Sequence, residues 1–195
     1  MSGRAPRRRQ AERPVPPHQP AAPPPPLYVP RSLVRDTHDA FLPYWRAGVE
    51  VACYWFGLTS EQVAVATTVA LPCLEQSSGH YRVDGTSLRR LATEMRAQGL
   101  VNLAQIHTHP AAWVGHSVYD DEHAYSTRTG ALSLVWPDYG CCYPHDLLRR
   151  LGVHERQDGR WVHLSEDDAA RRIKLVDSVA DYRWDIVAGE GADDA

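Results

Sequence analysis

The fold of this chain is decided by residues 100–120, which read LVNLAQIHTHPAAWVGHSVYD. The first eight are mostly apolar and follow Gly99, a residue typical of helix ends, so we expect a strand over Leu100–His107. Pro110 starts a loop, and a short helix is expected from Val118 to about Arg128. The stretch therefore predicts a strand that ends in histidines, then a loop and a helix.

The same stretch carries a metal-binding pattern: His-x-His, seven residues, Ser, two residues, Asp, filled by His107, His109, Ser117 and Asp120. Histidines separated by one residue at a strand end project to the same side, so both imidazoles can reach one ion. Asp120 can add an oxygen ligand, and this ligand set leaves a fourth tetrahedral position for water, as in catalytic zinc sites. Zn²⁺ is favoured, although imidazole suits several transition metals. A chain of this composition is expected to match the pattern by chance on the order of 0.002 times.

Four neighbours of the pattern need separate interpretation. His116 and Asp121 are each one residue away from the ligand spacing, and His123 comes one helical turn after Asp120. We interpret the two histidines as supporting or surface residues, and the spacing selects Asp120 over Asp121. Trp113 lies in the loop between the ligands and is predicted to line a substrate groove.

Outside this stretch, apolar spacing and capping residues predict helices over Ser32–Trp45, over Ser87–Gln98 and from Ser165 to about Ser178. Strands are expected at Val49–Phe56, Gln62–Leu71, Ala131–Trp136, Leu151–Glu155 and Arg160–Leu164, the last two forming a hairpin. The short link between the first two strands favours an antiparallel pair. This order predicts an α+β domain with a single central, mostly antiparallel sheet flanked by helices.

The two ends of the chain differ in composition from the middle. Residues 1–30 contain ten of the 15 prolines and five arginines against one acid, which predicts a disordered Arg/Pro-rich arm. We expect the folded domain over residues 31–187 and a flexible acidic end over residues 188–195. The chain beyond the arm carries a net negative charge, so no nucleic-acid partner is expected for the domain.

The chain lacks the sequence features of a membrane or secreted protein. No apolar run approaches the roughly 20 residues of a membrane helix, and no secretory signal is present. The four cysteines contain no Cys-x-x-Cys pair and are interpreted as reduced thiols. These features predict a cytoplasmic protein without a membrane partner.

The His-x-His…Ser-x-x-Asp motif resembles that of the JAMM (JAB/MPN) metalloprotease family, whose members cleave ubiquitin or ubiquitin-like proteins from their conjugates. Members also carry a glutamate on an earlier strand, followed by a short apolar run ending in glycine, as in Glu50–Gly57. The usual glycine within that run is replaced here, near Cys53 and Tyr54. The resemblance covers roughly residues 31–178, is closest to compact bacterial members, and implies a JAB/MPN-like fold with the layering of cytidine deaminases.

The resemblance also implies roles for the site residues. His107, His109 and Asp120 would hold Zn²⁺ and Glu50 would activate water. A carboxylate near the water can accept its proton and later protonate the leaving amine, and Glu50 lies in an apolar strand, where an unpaired charge would be costly. For Ser117 the family implies a donor to the oxyanion of the tetrahedral intermediate; its position also suits a helix N-cap, and both roles can hold together.

The function implied is that of a zinc-dependent isopeptidase or peptidase that hydrolyses the bond after the C-terminus of a ubiquitin-like protein. The expected partners are that protein or its conjugates, with conjugation-pathway enzymes as further candidates. The substrate tail would lie extended beside the sheet as an added strand. Two alternatives are a peptidase that trims a sulfur-carrier protein and a non-catalytic MPN-type scaffold in a larger assembly.

Overall fold

The computed structural model of the protein describes residues 23–141, 143, 145 and 147–178. Along these residues the elements are, in chain order, β1 (Leu27–Pro30), α1 (Arg31–Ala47), β2 (Ala52–Thr59), β3 (Ala64–Ala70), β4 (Leu74–Gln76), β5 (Tyr81–Val83), α2 (Gly85–Ala97), β6 (Val101–Thr108), α3 (Val118–Glu122), β7 (Leu132–Trp136), α4 (Leu147–Arg150), β8 (Gly152–Gln157), β9 (Arg160–His163), α5 (Glu166–Arg172) and β10 (Ile173–Val176). The order confirms an α+β fold.

Eight strands form one sheet in the order β10-β1-β3-β2-β6-β7-β8-β9, and β4 and β5 form a separate two-stranded hairpin. Within the large sheet, β2 pairs antiparallel with β3 and β6, and β8 pairs antiparallel with β7 and β9. The pairs β1–β10, β1–β3 and β6–β7 are parallel. The sheet is therefore mostly antiparallel, as expected, and the helices flank it.

The core lies between the sheet and α1. Leu33, Val34 and Phe41 of α1 pack into one cluster with buried residues of the central strands, among them Trp55 and Trp136. The Trp55 indole donates a hydrogen bond to the Thr37 hydroxyl at 2.9 Å, which satisfies the buried indole N–H. The same hydroxyl donates to the Leu33 carbonyl at 2.8 Å. This packing holds α1 against β2, β6 and β7 near the centre of the sheet.

Strand register places the end of β6 beside the start of β2. His107 of β6 is opposite Ala52 of β2 and opposite Val135 of β7. The chain just before β2 is therefore close to the metal-ligand pattern, although the two are more than 50 residues apart in sequence. Sheet pairing is what brings them together.

Gly57, which ends the apolar run after Glu50, lies where the β2–β3 register shifts. A Cβ atom there would be 1.9 Å from the Val65 carbonyl oxygen. A glycine is required at this position because the backbone of β3 approaches too closely for any side chain.

Two predicted boundaries are wrong, and they share one cause. Leu27–Pro30, assigned to the disordered arm, forms β1, and the helix expected to reach Ser178 stops at Arg172 and continues as β10. The two segments are each other's partners, with Leu27 opposite Ile173 and Pro30 opposite Val176. Residues 1–22 of the predicted arm, and the predicted acidic end at 188–195, lie outside the described residues.

Smaller differences affect the elements around the site. Helix α3 ends at Glu122 rather than near Arg128, Glu50 precedes β2 rather than lying within it, and α1 starts at Arg31, so Ser32 is not its cap. The hairpin β4–β5 was not expected. By contrast, Asp84 caps α2 through a hydrogen bond from the Ser87 amide, and the β8–β9 hairpin is present. Of the helices described, none is both long and apolar enough to span a bilayer.

Candidate metal centre

The end of β6 presents His107 and His109 on the same side, as strand alternation requires. Their ring centroids are 5.0 Å apart, and only 1% and 5% of the two residues are exposed. Thr108 between them is bound to the chain before β2: its amide donates to the Val51 carbonyl and its hydroxyl accepts from the Val51 amide, both at 3.0 Å. The histidine pair is thus buried and fixed to the segment that carries Glu50.

Helix α3 delivers Asp120 to the histidines. Ser117 is its N-cap, and its hydroxyl accepts from the Asp120 amide at 3.1 Å. In return, Asp120 Oδ2 accepts hydrogen bonds from the Ser117 amide and hydroxyl, both at 2.7 Å. This reciprocal capping box holds the Asp120 carboxylate toward the end of β6.

The three predicted ligands converge. Asp120 Oδ1 is 3.4 Å from His107 Nε2, and Asp120 Oδ2 is 3.4 Å from His109 Nε2. One ligand atom from each of the three side chains lies within 4.8 Å of the other two. Such a spacing allows all three to contact a single ion.

Buried polar atoms in the cluster fit a metal ion. Neither ring nitrogen of His107 has a hydrogen-bond partner among the described residues, although the ring is fully buried. A buried imidazole without a partner is unfavourable, and contact with a metal ion would remove that cost. Two imidazoles and one carboxylate are a donor set that suits zinc and several other transition metals.

The protonation states also suit ligation. Burial lowers the pKa of His107, partly opposed by the Asp120 carboxylate, so its imidazole is neutral near pH 7. Burial raises the pKa of Asp120, but its interactions with His107, His109 and Ser117 outweigh burial and hold that pKa well below its usual range. Neutral imidazoles and an ionised carboxylate are the forms that bind metals.

His109 is oriented by the loop that follows it. Its Nδ1 lies 3.2 Å from the Trp113 carbonyl oxygen, and because a carbonyl only accepts, Nδ1 carries a proton. Its Nε2 is on the side of the ring that faces Asp120. The Trp113 ring stacks on His109 with centroids 4.9 Å apart and planes at 17°, while 55% of Trp113 is exposed. Trp113 thus presents an aromatic surface to solvent beside the cluster.

Glu50 lies next to the cluster as a buried acid, with 5% of the residue exposed. Burial raises the pKa of its carboxyl from 4.5 to about 7, His109 lowers this value and Asp120 raises it. Both side chains therefore lie within electrostatic reach of the Glu50 carboxyl. A carboxyl group with a pKa near 7 can both accept and release a proton at neutral pH.

The β4–β5 hairpin sets the backbone of Glu50. The Glu50 amide donates to the Ser77 carbonyl at 2.9 Å, and the Gln76 side-chain amide donates to the Glu50 carbonyl at 2.8 Å. Sequence reasoning missed these residues because one contact uses a backbone carbonyl and neither lies near a recognisable motif.

The neighbours of the pattern lie around the cluster, outside its ligand set. His116 packs against His107 with centroids 5.7 Å apart, and its two nitrogens pair with Asp121 and Ser133, each at 3.0 Å. Burial lowers the pKa of His116 to about 4. His123 stacks on Tyr119 at the exposed side of α3.

Comparison with known proteins identifies one curated relative. Probable metalloprotease y4jG of Sinorhizobium fredii is 32% identical over 115 residues, which are 57% of this chain and 70% of that protein. No family model matches the chain.

Two solved structures resemble this chain at low sequence identity. Protein DSY2949 of Desulfitobacterium hafniense has a TM-score of 0.55 at 16% identity, over 78% of this chain and 94% of that one. A JAB1/MPN domain protein of Archaeoglobus fulgidus, AF2198, has a TM-score of 0.41 at 15% identity, over 77% and 96% of the two chains. The first likeness shows a shared fold.

Proposed function

Since the chain belongs to the JAMM (JAB/MPN) family of metalloproteases, we propose that it is a zinc-dependent isopeptidase or peptidase that hydrolyses the bond after the C-terminus of a ubiquitin-like protein. The observation that carries the proposal is the buried cluster of His107, His109 and Asp120 with the acid Glu50 beside it. A scaffold protein has no need of a buried imidazole that lacks a hydrogen bond or of a buried carboxyl group with a raised pKa, since both weaken the fold.

His107, His109 and Asp120 would hold the zinc ion. When bound there, the ion would supply Lewis-acid polarisation of the scissile carbonyl and a lowered pKa for water. The protein itself orients the ligand side chains toward the position of the ion. The Trp113 carbonyl holds the proton of His109 on Nδ1, and the capping box of Ser117 holds the Asp120 carboxylate in place.

Glu50 would act as the general base and then as the general acid. Its carboxylate would take the proton of the attacking water and later give it to the leaving nitrogen. Its burial beside the ligands raises the pKa of this carboxyl in the metal-free protein, which favours a group able to take up and release a proton. The hairpin contacts hold the backbone from which the carboxyl projects.

Ser117 would stabilise the oxyanion of the tetrahedral intermediate. Its hydroxyl caps α3 by accepting from the Asp120 amide and donates its own proton to Asp120 Oδ2, so the oxyanion role requires the hydroxyl to turn. A single donor of this kind typically contributes about 3 kcal/mol to transition-state stabilisation.

The proposal is tested with a fusion of a ubiquitin-like protein to a target protein, incubated with the purified enzyme with and without a chelator. We expect cleavage after the ubiquitin-like C-terminus, and its loss with chelator. Glu50→Gln should lower kcat by about 100- to 10,000-fold while zinc content, measured by atomic absorption, stays at one per chain. Glu61→Gln, at an exposed glutamate, is the matched control.

Three outcomes would reject parts of this proposal. Full turnover by Glu50→Gln rejects the general base. A wild-type protein that binds no metal and cleaves no fusion indicates the scaffold alternative. Cleavage that is unaffected by the chelator rejects the metal.

Trp113 is proposed to contact the substrate beside the scissile bond, because its ring is exposed and fixed against His109. Trp113→Ala should therefore raise KM about tenfold or more, in line with the loss of an aromatic contact of 1–2 kcal/mol. An unchanged KM in steady-state kinetics would remove Trp113 from the binding surface.

A further inference from the structure

The loop after β7 contacts both halves of the candidate site through one residue, Tyr139. Its backbone amide donates to the carbonyl oxygen of His109 at 2.7 Å. Its side-chain hydroxyl donates to the carbonyl oxygen of Ser78 at 2.8 Å, at the tip of the β4–β5 hairpin. Tyr139 thus bridges the strand that carries the metal ligands and the hairpin that holds the Glu50 backbone.

These two hydrogen bonds of Tyr139, to the His109 and Ser78 carbonyls, form a tether between the strand and the hairpin. The hairpin depends on contacts of this kind for its stability. β4 and β5 are three residues each and pair only with one another, and a two-stranded hairpin of this length is marginally stable in water. Its turn is closed by a hydrogen bond from the Ser77 amide to the His80 carbonyl at 2.9 Å. Ser77 is also the acceptor for the Glu50 amide, so movement of the tip moves Glu50.

The backbone at Tyr139 is strained. Asp138 and Tyr139 have φ values of +52° and +53°, a left-handed conformation that costs non-glycine residues roughly 1–2 kcal/mol each. Such strain persists where the surrounding contacts over-determine the conformation, and it occurs often at functional sites. Here the left-handed conformation is what turns the Tyr139 amide toward His109 while the side chain reaches Ser78.

We propose that Tyr139 is a positioning residue that sets the place of Glu50 relative to the His107–His109 pair. The inference rests on the proposed function for its catalytic consequence. The tether itself is independent of that function. Tyr139 touches neither substrate nor metal in this assignment and acts only through Ser78 and the His109 carbonyl.

Tyr139→Phe tests the tether because it removes the hydroxyl and keeps the ring and the backbone preference. We expect kcat to fall about three- to tenfold, the effect of one hydrogen bond of ordinary net strength, with KM and zinc content unchanged. Amide hydrogen exchange at Glu50, followed by NMR, should accelerate by a similar factor. The matched control is Tyr125→Phe, which also removes a tyrosine hydroxyl bonded to a backbone carbonyl, that of Leu132 at 3.1 Å, away from the hairpin; it should change none of these quantities.

The outcomes separate this inference from the proposed function. Unchanged exchange at Glu50 in Tyr139→Phe overturns the tether, whether or not the protein is a peptidase. A joint loss of zinc and activity overturns the positioning role in favour of a general structural one. Accelerated exchange in a protein whose wild type cleaves no fusion supports the tether and rejects the peptidase.

Discussion

At the scale of single residues, the site consists of polar groups kept where water cannot satisfy them. Glu50, His107 and Asp120 are all buried. Burial raises the pKa of Glu50 and lowers that of His107, whereas the hydrogen-bonding partners of Asp120 outweigh burial and hold its pKa low. Sequence spacing predicted His107 and Asp120 as ligands, and the resemblance to the family implied the role of Glu50. The spacing did not predict that a backbone carbonyl, that of Trp113, keeps a proton on His109 Nδ1, because backbone contacts leave no trace in residue identity.

Glu50 makes the stability of the metal-free protein depend on pH. Its pKa is raised from 4.5 to about 7 on folding, so the unfolded chain loses this proton first and stability falls as pH rises from 4.5 through 7. Glu50→Gln removes this loss. In the presence of chelator, the variant should be more stable than wild type at pH 8 by up to about 3 kcal/mol and no different at pH 4.

Urea unfolding at the two pH values measures the difference. Glu61→Gln, at an exposed position, should match wild type at both. An equal stability difference between Glu50→Gln and wild type at pH 4 and pH 8 would contradict the raised pKa.

At the scale of elements, the errors in the sequence analysis concern segments whose conformation is set by a distant partner. Ser165 caps α5 as expected, through its hydroxyl and the Asp168 amide, but the helix ends at Arg172. The four residues that follow are mostly apolar and compatible with either conformation. Pairing with β1 makes these four residues a strand rather than a continuation of the helix. In the same way, Leu27–Pro30 becomes a strand only because β10 lies beside it.

The β4–β5 hairpin shows the same limit on a smaller scale. Its strands are too short to produce a period that a sequence can reveal, and its stability comes from contacts with Glu50, Tyr139 and Gln105, which bonds to Tyr81. Helix α2 and the β8–β9 hairpin, by contrast, carry local cap and turn signals and were predicted correctly.

At the scale of the whole molecule, Arg172 joins parts of the chain that are far apart in sequence. Its Nε donates to Glu155 of β8 at 2.6 Å, and its two terminal nitrogens donate to the carbonyls of Pro25 and Gly130 at 2.5 and 2.8 Å. The side chains of Arg172 and Glu155 are 13% and 9% exposed. This buried ion pair and its two carbonyl contacts connect the end of α5 to β8 and to the segments that precede β1 and β7.

Arg172→Met should therefore destabilise the protein by about 3–5 kcal/mol, because Glu155 would be left as a buried charge without its cation. Arg171→Met, next in sequence, is the control: Arg171 pairs with Asp168 across side chains that are 70% and 49% exposed, and such surface pairs contribute at most about 1 kcal/mol. Urea denaturation compares the two. Equal losses of stability would show that the buried network has no special role.

The sequence by itself determined the candidate metal ligands, the α+β class and most helices and strands, because these depend on spacing within about 15 residues and on local cap and turn chemistry. Only the tertiary structure decided that Glu50 is buried beside the ligands, that a short hairpin and Tyr139 hold it there, and that Leu27–Pro30 and Ile173–Val176 are strands. These features depend on hydrogen bonds and sheet pairing between segments from 26 to 146 residues apart. No local pattern records such pairings, because their free energy arises only when the folded chain brings both partners together.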